Sequence, residues 1–331
     1  MPPDPAAARL SALAGAPVHD LRTAGAQHGY RYVRATLADG RPLFAKLTDA
    51  PTKPAAPTKP ADPTKAADPT KPADPTSHGS PTGTPSPTGT PSPFEAEGRG
   101  LRWLAEAGAV PVPEVLGWDD QALVLSWLPP GPATAEAAAA FGRDLARLHA
   151  AGADAFGAPW AGFIASLPLD NTPWPAADGW PRWYAERRVL PYLRRAADGG
   201  ILGPGDVALV EQVLDRITAL AGPDEPPSRI HGDCWSGNVL WSEGRGWLID
   251  PAAHGGHRET DLAMLDLFGA PHLGHILRGY QDAGSPAGPL ADGWRARTPL
   301  HQLHPLLVHV CLFGPGYREQ ALAAARAALA A

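Results

Sequence analysis

The sequence predicts an α+β protein of two lobes, in which a small antiparallel β-sheet lobe with one helix precedes a larger, mainly helical lobe. Two patterns support this fold class. The first 128 residues read as strand, strand, helix and strand, whereas amphipathic helical runs dominate the chain beyond Gly131. We therefore expect an N-lobe at 1–128 and a C-lobe at 129–331.

A β-hairpin is predicted near the start of the chain. Short mixed apolar runs at 30–35 and 42–47 flank an Asp39-Gly40 turn. Lys46 lies in the second of these strands. The hairpin therefore places one basic side chain within the predicted small sheet.

A helix and a further strand complete the predicted N-lobe. FEAEGRGLRWLAEAGA, residues 94–109, carries Leu101 and Leu104 on one apolar stripe and predicts a helix. ALVLSWL, residues 122–128, is an apolar strand that stops at two consecutive prolines. In the C-lobe, helices are predicted from amphipathic runs near 135–150, 180–197, 204–221 and 317–330.

A low-complexity segment separates the hairpin from the helix of the N-lobe. From Ala50 the units APTKPA, APTKPA, DPTKAA and DPTKPA follow one another, and PTGTPS then occurs twice before Pro93. Frequent proline removes backbone donors, and almost no large apolar side chain is available for burial. We expect residues 50–93 to be a disordered insert of the N-lobe.

Composition argues against several classes of partner. The 28 basic and 34 acidic side chains give a net charge of −6, which lacks the basic excess that nucleic-acid binding requires. Apolar stretches are too short to cross a bilayer, so we expect no membrane association and a cytoplasmic location. Cys234 and Cys311 are too few for a disulfide framework and are expected to be free.

The segment SRIHGDCWSGNVLWSEGRGWLID, residues 228–250, contains three oxygen-bearing side chains at informative spacing. Asn238 precedes a predicted hairpin that returns Asp250 close to it, and such a pair of oxygen ligands suits Mg²⁺. Asp233 lies on the loop that enters the hairpin, where it can accept the proton of an attacking substrate hydroxyl. This layout matches the catalytic loop and metal-binding aspartate of protein kinases.

The N-lobe supplies candidates for the nucleotide phosphates. Lys46 on its strand can reach the phosphates as a point charge, and Glu97 in the following helix can orient it, with Glu95 as the near alternative. The turn TAGAQHGY contains Gly25 and Gly29, which allow a backbone to approach phosphate oxygens closely. An ordinary turn explains these two glycines equally well.

With these residues in place, the chain resembles the fructosamine kinase (ketosamine 3-kinase) family, which has a protein-kinase-like, aminoglycoside-phosphotransferase-like fold. HGDCWSGNVLW and LIDPAAHGGHRETDLAML are close to its signature, in which Pro-Ala follows the metal-binding aspartate. Similarity extends over nearly the whole chain outside the insert. The resemblance implies ATP and Mg²⁺, with roles for these residues: Asp233 as catalytic base, Asn238 and Asp250 as magnesium ligands, and Lys46 with Glu97 as the phosphate-binding pair.

The resemblance also implies supporting roles. Asp261 is expected to brace the His-Gly-Asp loop from beneath, although an ordinary role early in a helix would be compatible. Trp127 and Leu128, in the connection between the lobes, are assigned to the nucleotide, although Ser126 stands where many relatives have Glu. Trp235 is a candidate for contact with the substrate's sugar or cationic amine, with core packing as its alternative, and His231 is assigned to the same site.

Two further histidines, His254 and His257, are expected to have polar roles in a loop rather than to bind metal. They lie three residues apart on a Gly-containing stretch. No third ligand is apparent from the sequence.

The function that follows is phosphorylation of a sugar hydroxyl. The resemblance implies that this is the 3-hydroxyl of a free or protein-bound ketoamine, such as a fructosamine or ribulosamine. Deglycation would be the biological outcome. An aminoglycoside or choline phosphotransferase is the alternative enzyme, and a nucleotide-binding pseudokinase that acts as an interaction module is the alternative from another class. The sequence does not specify the preferred ketoamine or the oligomeric state.

Overall fold

The structure is a computed structural model that describes residues 5–27, 29–48, 91–284 and 289–331. Most of the predicted insert lies outside these residues, and its disorder stays a prediction. The end of the insert is described and corrects its boundary. Ser92 is the N-cap of a helix, and Pro93 is the first residue of that helix rather than the last of the insert.

A five-stranded antiparallel sheet forms the N-lobe, in the order β1-β2-β3-β5-β4. Its strands are β1 (Val18–Gln27), β2 (Tyr30–Leu37), β3 (Pro42–Thr48), β4 (Val115–Trp118) and β5 (Ala122–Ser126). Helix α1 (Pro5–Ala14) packs on one face of the sheet and helix α2 (Pro93–Glu106) packs on the other. The sheet is therefore covered on both faces.

Side-chain alternation along β3 decides which face receives Lys46. Leu43, Ala45 and Leu47 are buried in the cluster that includes Leu10 of α1. Successive side chains of a strand point to opposite faces, so Lys46 must point toward the face that α2 covers. The alternation therefore directs the ammonium group of Lys46 toward a residue of α2.

The C-lobe is mainly helical, in agreement with the predicted fold class. Its helices are α3 (Ala135–Ala150), α4 (Trp180–Tyr184), α5 (Leu190–Asp198), α6 (Pro204–Asp215), α7 (Ile217–Leu220), α8 (Glu259–Leu267), α9 (Leu273–Asp282), α10 (Trp294–Phe313) and α11 (Arg318–Ala330). A π-helical turn, Ala185–Val189, joins α4 to α5. None of the helices in the described ranges combines the length and the apolar character needed to cross a bilayer.

Three short antiparallel strand pairs complete the C-lobe. They are β6 (Gly162–Ile164) with β7 (Leu167–Leu169), β8 (Ser228–Ile230) with β11 (His254–Gly256), and β9 (Val239–Ser242) with β10 (Arg245–Leu248). Three strands of the last two pairs, β8, β9 and β10, lie within the segment that was predicted to carry the chemistry. They fix its loop and its hairpin to the helical lobe.

Helices α3 and α9 approach each other at backbone distance. A Cβ atom on Gly142 would lie 2.0 Å from the carbonyl oxygen of Ile276, and one on Gly279 would lie 2.1 Å from that of Ala139. Any side chain at either glycine would force the helices apart. This close contact fixes the position of His149, near the end of α3, beneath the predicted catalytic loop.

The elements predicted from the sequence agree with the structure where periodicity was strong. The hairpin of β2 and β3, helix α2 and helix α3 are confirmed, and the strand predicted at 122–128 ends at Ser126. The run at 204–221 is divided by a break at Arg216. Helix α1 and strands β1 and β4 were not predicted, and α1 gives the N-lobe a second helix.

The C-lobe interior contains buried histidines among aromatic rings. His254, His257 and His304 are each 3% exposed. Burial lowers the pKa of all three imidazoles well below the ordinary 6.5, and the cationic side chain of Arg188 adds to this effect at His254 and His304. These side chains are therefore neutral in the folded protein.

We predict that the fold loses stability as the pH falls below about 6.5, because these histidines then gain protons in the unfolded chain and not in the folded protein. Three such groups would lower the free energy of unfolding by up to about 4 kcal/mol per pH unit below that pKa. Urea denaturation at several pH values between about 7.5 and 5.5 measures the slope.

The variant for this measurement is His304→Gln, which should reduce the slope by about one third, and His272→Gln, at an exposed position, is its matched control. A free energy of unfolding that stays constant across this range would contradict the prediction.

Candidate active site between the lobes

Two adjoining cavities of about 390 and 320 Å³ occupy the cleft between the lobes. We call the first the aromatic chamber; Tyr30, Phe163, Trp235 and Phe313 are among its lining residues. We call the second the hinge chamber, because Ser126, Trp127 and Leu128 at the connection between the lobes line it. Cavities of this size are typical of small-molecule sites.

Lys46 is buried and lies between two carboxylates. Its Nζ atom donates hydrogen bonds to both oxygens of Glu97, at 2.8 and 2.9 Å, and to Oδ1 of Asp250, at 2.6 Å. Burial alone would lower the pKa of Lys46, but the two carboxylates outweigh that effect and raise it above its ordinary value. The side chain therefore stays protonated and joins an N-lobe helix to the C-lobe.

Glu97, rather than Glu95, is the partner that the structure gives Lys46. Glu95 pairs with Arg99 one turn further along α2, at 2.8 Å. Burial raises the pKa of Glu97, and the ammonium of Lys46 opposes that rise. The predicted strand lysine and helix glutamate are thus brought together as an ion pair.

The His-Gly-Asp loop is held from below by one buried carboxylate. Asp261, in the first turn of α8, accepts hydrogen bonds from the backbone N–H groups of His231 and Gly232, at 2.8 and 2.9 Å. It also contacts Nε2 of His149 at 3.1 Å, and Tyr280 contacts the other nitrogen of that ring at 2.8 Å. This is the bracing position that was expected for Asp261.

The electrostatics of Asp261 fit this arrangement. Burial would raise its pKa, but the hydrogen bonds and the adjacent His149 and His231 lower it below the ordinary value. The carboxylate is therefore an ionised acceptor for the backbone of the loop.

Gly232 is required by the same loop. Its φ of +80° lies in the left-handed region, and a Cβ atom there would lie 2.3 Å from the carbonyl oxygen of Ala252. No other residue fits this position without moving the backbone at Ala252.

The position of His231 corrects a prediction. Its side chain is completely buried, so it does not line the cleft and cannot contact a substrate. Its Nε2 atom lies 2.9 Å from the carbonyl of Ile249, and its Nδ1 atom accepts the N–H of Asp233 at 3.2 Å. Burial lowers its pKa, so the ring is a neutral imidazole that fixes the backbone of Asp233.

Asp233 lines the aromatic chamber at the end of this loop. The side-chain amide of Asn238 donates to its Oδ2 atom and to its backbone carbonyl, both at 2.9 Å. Burial raises the pKa of Asp233 to about 7, with further contributions from Asp250 and Asp261, while the hydrogen bond from Asn238 opposes the rise. A carboxylate with a raised pKa is a more effective proton acceptor.

The hairpin of β9 and β10 returns the chain from Asn238 to Asp250, as the spacing predicted. The N–H of Ile249 donates to the carbonyl of Asn238 at 3.1 Å, and the amide of Asn238 lies 3.4 Å from the carbonyl of Asp250. Asp250 has a φ of +55°, a conformation that costs a non-glycine residue about 1–3 kcal/mol. The hairpin maintains this strain and turns the carboxylate into the cleft.

The donor set at this point fits Mg²⁺. Asn238 and Asp250 offer an amide oxygen and a carboxylate, which are hard oxygen ligands, and both residues line the aromatic chamber. The Asp250 side chain is 41% exposed although Lys46 binds one of its oxygens. It therefore remains accessible from the cleft.

The other predicted nucleotide residues are distributed differently. Trp127 and Leu128 line the hinge chamber. Gly25, however, lies within β1 and pairs with Tyr32 of β2, rather than in a turn above the phosphates. Gly29 directly precedes β2, and neither glycine is among the lining residues of the two chambers.

Trp235 extends into the aromatic chamber, where it is 37% exposed and packs edge-to-face on Phe268 at 5.9 Å. Sequence reasoning missed its neighbours Phe313 and His309 of α10, which line the same chamber. It also missed Tyr32, although the alternation of β2 beside β3 could have indicated a side chain above Lys46.

Sequence reasoning found no third ligand near His257, whereas the structure brings Glu259 and His301 to it, with potential ligand atoms within 4.8 Å of one another. Arg297 already binds both oxygens of Glu259, at 2.9 and 2.5 Å. A cation placed there would be repelled by the guanidinium of Arg297. The cluster is a buried ion pair with histidines around it, not an open metal site.

Comparison with known proteins gives a consistent result. A family model described as fructosamine kinase matches residues 86–331. A probable ketoamine kinase of Thermus thermophilus is 37% identical over 227 residues, which cover 68% of this chain and 78% of the relative. A probable ketoamine kinase of Escherichia coli K12 is 36% identical over 228 residues, which cover 67% of this chain and 75% of the relative.

Solved structures extend the similarity to the fold. A candidate fructosamine-3-kinase from Thermobifida fusca has a TM-score of 0.82 and 49% identity, with 99% of each chain covered. An aminoglycoside phosphotransferase solved with ADP and hygromycin B has a TM-score of 0.56 and 16% identity, covering 97% of this chain and 98% of its own. The latter shares the protein-kinase-like fold alone.

We predict that Asp261→Asn lowers the free energy of unfolding by about 1–3 kcal/mol, because one buried donor at the loop loses its acceptor. Chemical denaturation measures the change, with Asp266→Asn on the exposed side of the same helix as the matched control. Equal stability of Asp261→Asn and the parent protein would show that the loop does not depend on this carboxylate.

Proposed function

Because the chain belongs to the fructosamine kinase family, we propose that it transfers the terminal phosphate of ATP to a sugar hydroxyl of a ketoamine, by family analogy the 3-hydroxyl. The chain is an ATP-dependent phosphotransferase of this family. One observation supports the proposal above the others: Lys46, Asp233, Asn238 and Asp250 all line one cavity of the cleft.

The nucleotide would lie with its base in the hinge chamber, against Trp127 and Leu128, and its phosphates beside Lys46. Lys46 supplies the positive charge, and Glu97 holds it in place through two hydrogen bonds. Asn238 and Asp250 would hold Mg²⁺, which would neutralise charge on the phosphate oxygens when bound. Preorganised charge of this kind accounts for most catalysis of phosphate transfer.

Asp233 would act as the base. Its Oδ2 atom is occupied by Asn238, whereas its Oδ1 atom accepts no hydrogen bond from the described residues and can receive the proton of a substrate hydroxyl. As the substrate oxygen forms its bond to phosphorus, the bond to the oxygen of ADP breaks and the proton passes to Asp233. His231 and Asp261 position this carboxylate without touching the substrate.

The lining of the aromatic chamber favours a ketoamine over a polycationic acceptor. Outside the group of Lys46, Glu97, Asp233 and Asp250, the lining residues that the structure describes include no acidic or basic side chain except His309, whose pKa burial lowers. The ammonium groups of a polycationic acceptor would lose their hydration in the chamber without gaining enough carboxylate partners, which would weaken binding. A ketoamine has one amine, and the ring of Trp235 can lie against it.

Several finer points are proposals that the family supports. The acceptor would be a fructosamine or ribulosamine on a free or protein-bound amine, and deglycation would follow its phosphorylation. A cytoplasmic location fits this role. The lobe boundary at residue 128 stays a prediction. The assignment of Gly25 and Gly29 to the phosphates also stays a prediction, although neither residue is among those that line the two chambers.

We predict that Asp233→Asn lowers kcat by about 100-fold or more, because the amide cannot accept the proton, while nucleotide affinity changes little. Steady-state kinetics with a ketoamine and calorimetric titration with ADP measure the two effects. Asp224→Asn, at an exposed surface position, is the matched control. A kcat for Asp233→Asn equal to that of the parent would remove Asp233 from the mechanism.

We predict that the protein with ATP and Mg²⁺ phosphorylates fructosamines and ribulosamines and has little activity on aminoglycosides or choline. Beyond Glu97, Asp233 and Asp250, the described lining of the aromatic chamber offers no carboxylate for additional cations. An ATP-consumption assay across these acceptors, with product mass measured, tests this, and Asp233→Asn provides the inactive control. Activity confined to aminoglycosides or choline would overturn the ketoamine assignment.

A further inference from the structure

Among the residues that the structure describes, three line both chambers of the cleft: Tyr32, Lys46 and Asp250. A phosphate that passes from a nucleotide in the hinge chamber to an acceptor in the aromatic chamber must cross the junction between the chambers. Lys46 and Asp250 already have assigned roles at this junction. Tyr32 has none.

The register of the sheet fixes Tyr32 above the lysine. Tyr32 of β2 lies directly opposite Lys46 of β3 in the antiparallel ladder, so the two side chains share one face. The Tyr32 ring packs on Phe44 at 5.7 Å between centroids. The phenol is therefore held at the junction by neighbours on the same sheet.

The hydroxyl of Tyr32 is available as a donor. Within the described residues it makes no hydrogen bond to the protein, although the ring is half-buried. Burial raises the pKa of this phenol, Asp250 and Glu97 add to the rise, and Lys46 opposes it. The group thus carries its proton at neutral pH, beside the ammonium of Lys46.

The strand before Tyr32 explains why a side-chain donor is needed. TAGAQHGY lacks consecutive glycines, and β1 remains paired with β2 up to Gln27, opposite Tyr30. Backbone groups engaged in sheet pairing are less free to surround a phosphate than those of an open glycine-rich turn. Gly25, in particular, is paired with Tyr32 itself.

We propose that the hydroxyl of Tyr32 donates a hydrogen bond to the terminal phosphate of the nucleotide and orients it toward the acceptor. This inference rests on the proposed function, because it requires a nucleotide triphosphate in the cleft. Tyr30, two residues earlier on the same strand face, lines only the aromatic chamber and packs on Phe94 at 5.4 Å, so the role is specific to Tyr32.

The test is Tyr32→Phe in the full-length protein, which removes the hydroxyl and keeps the ring on Phe44. A hydrogen bond to a charged group is worth about 10-fold or more in affinity. Calorimetric titration should therefore show that Tyr32→Phe binds a non-hydrolysable ATP analogue with Mg²⁺ about 10-fold more weakly than the parent. Its affinities for ADP and AMP should lie within about twofold of those of the parent.

The matched control is Tyr317→Phe, because Tyr317 follows α10 and lines neither chamber. It should bind all three nucleotides as the parent does, and thermal unfolding of both variants should match the parent. Kinetics with a ketoamine should show a lower kcat/KM for ATP in Tyr32→Phe.

Two results would overturn the inference. The first is an unchanged affinity of Tyr32→Phe for the ATP analogue. The second is an equal loss of affinity for the analogue and for AMP, which would indicate altered packing in the hinge chamber. Because the titration uses nucleotide alone, failure to phosphorylate any ketoamine would refute the proposed acceptor and leave the Tyr32 result intact. If the parent protein binds no nucleotide at all, both proposals fail.

Discussion

The ammonium group of Lys46, held between Glu97 of the N-lobe and Asp250 of the C-lobe, is the interaction on which the site depends. A buried cation is costly to desolvate and persists only with well-placed partners. Here the partners come from two lobes, so one charge fixes the position of α2 against the hairpin that carries Asp250. Loss of either partner would leave Lys46 bound to one lobe only and would loosen the cleft at the point where phosphates are expected.

A second buried network supports the opposite wall of the cleft. A chain of contacts runs from Tyr280 through His149 to Asp261 and ends at the backbone of the His-Gly-Asp loop. Low local dielectric strengthens such hydrogen bonds and makes an unpaired member expensive. The loop therefore has one arrangement, which presents Asp233 to the cleft while His231 stays beneath it. The proposed catalytic geometry thus depends on polar groups that do not themselves line the cleft.

Local spacing was sufficient to predict much of this site. The short hairpin after Asn238 makes the approach of Asp250 nearly unavoidable, and the period of two along β3 directs Lys46 to the face of α2. What could not be predicted depends on contacts between distant segments. The burial of His231 involves a carbonyl 18 residues away, and Leu10 of helix α1 is buried in a cluster with residues of strands β2, β3 and β5. Gly25 lies in a strand rather than in the expected turn because pairing extends β1 to Gln27, which no local pattern indicates.

In the proposed mechanism, Asp250 and Asn238 place a magnesium ion on phosphates bound beside Lys46. The most direct measurement is the affinity for a non-hydrolysable ATP analogue with and without Mg²⁺, in the parent protein and in Asp250→Asn, which keeps a residue that tolerates the left-handed backbone. We expect Mg²⁺ to strengthen binding to the parent and Asp250→Asn to lose most of this effect. An equal effect of Mg²⁺ on both proteins would contradict it.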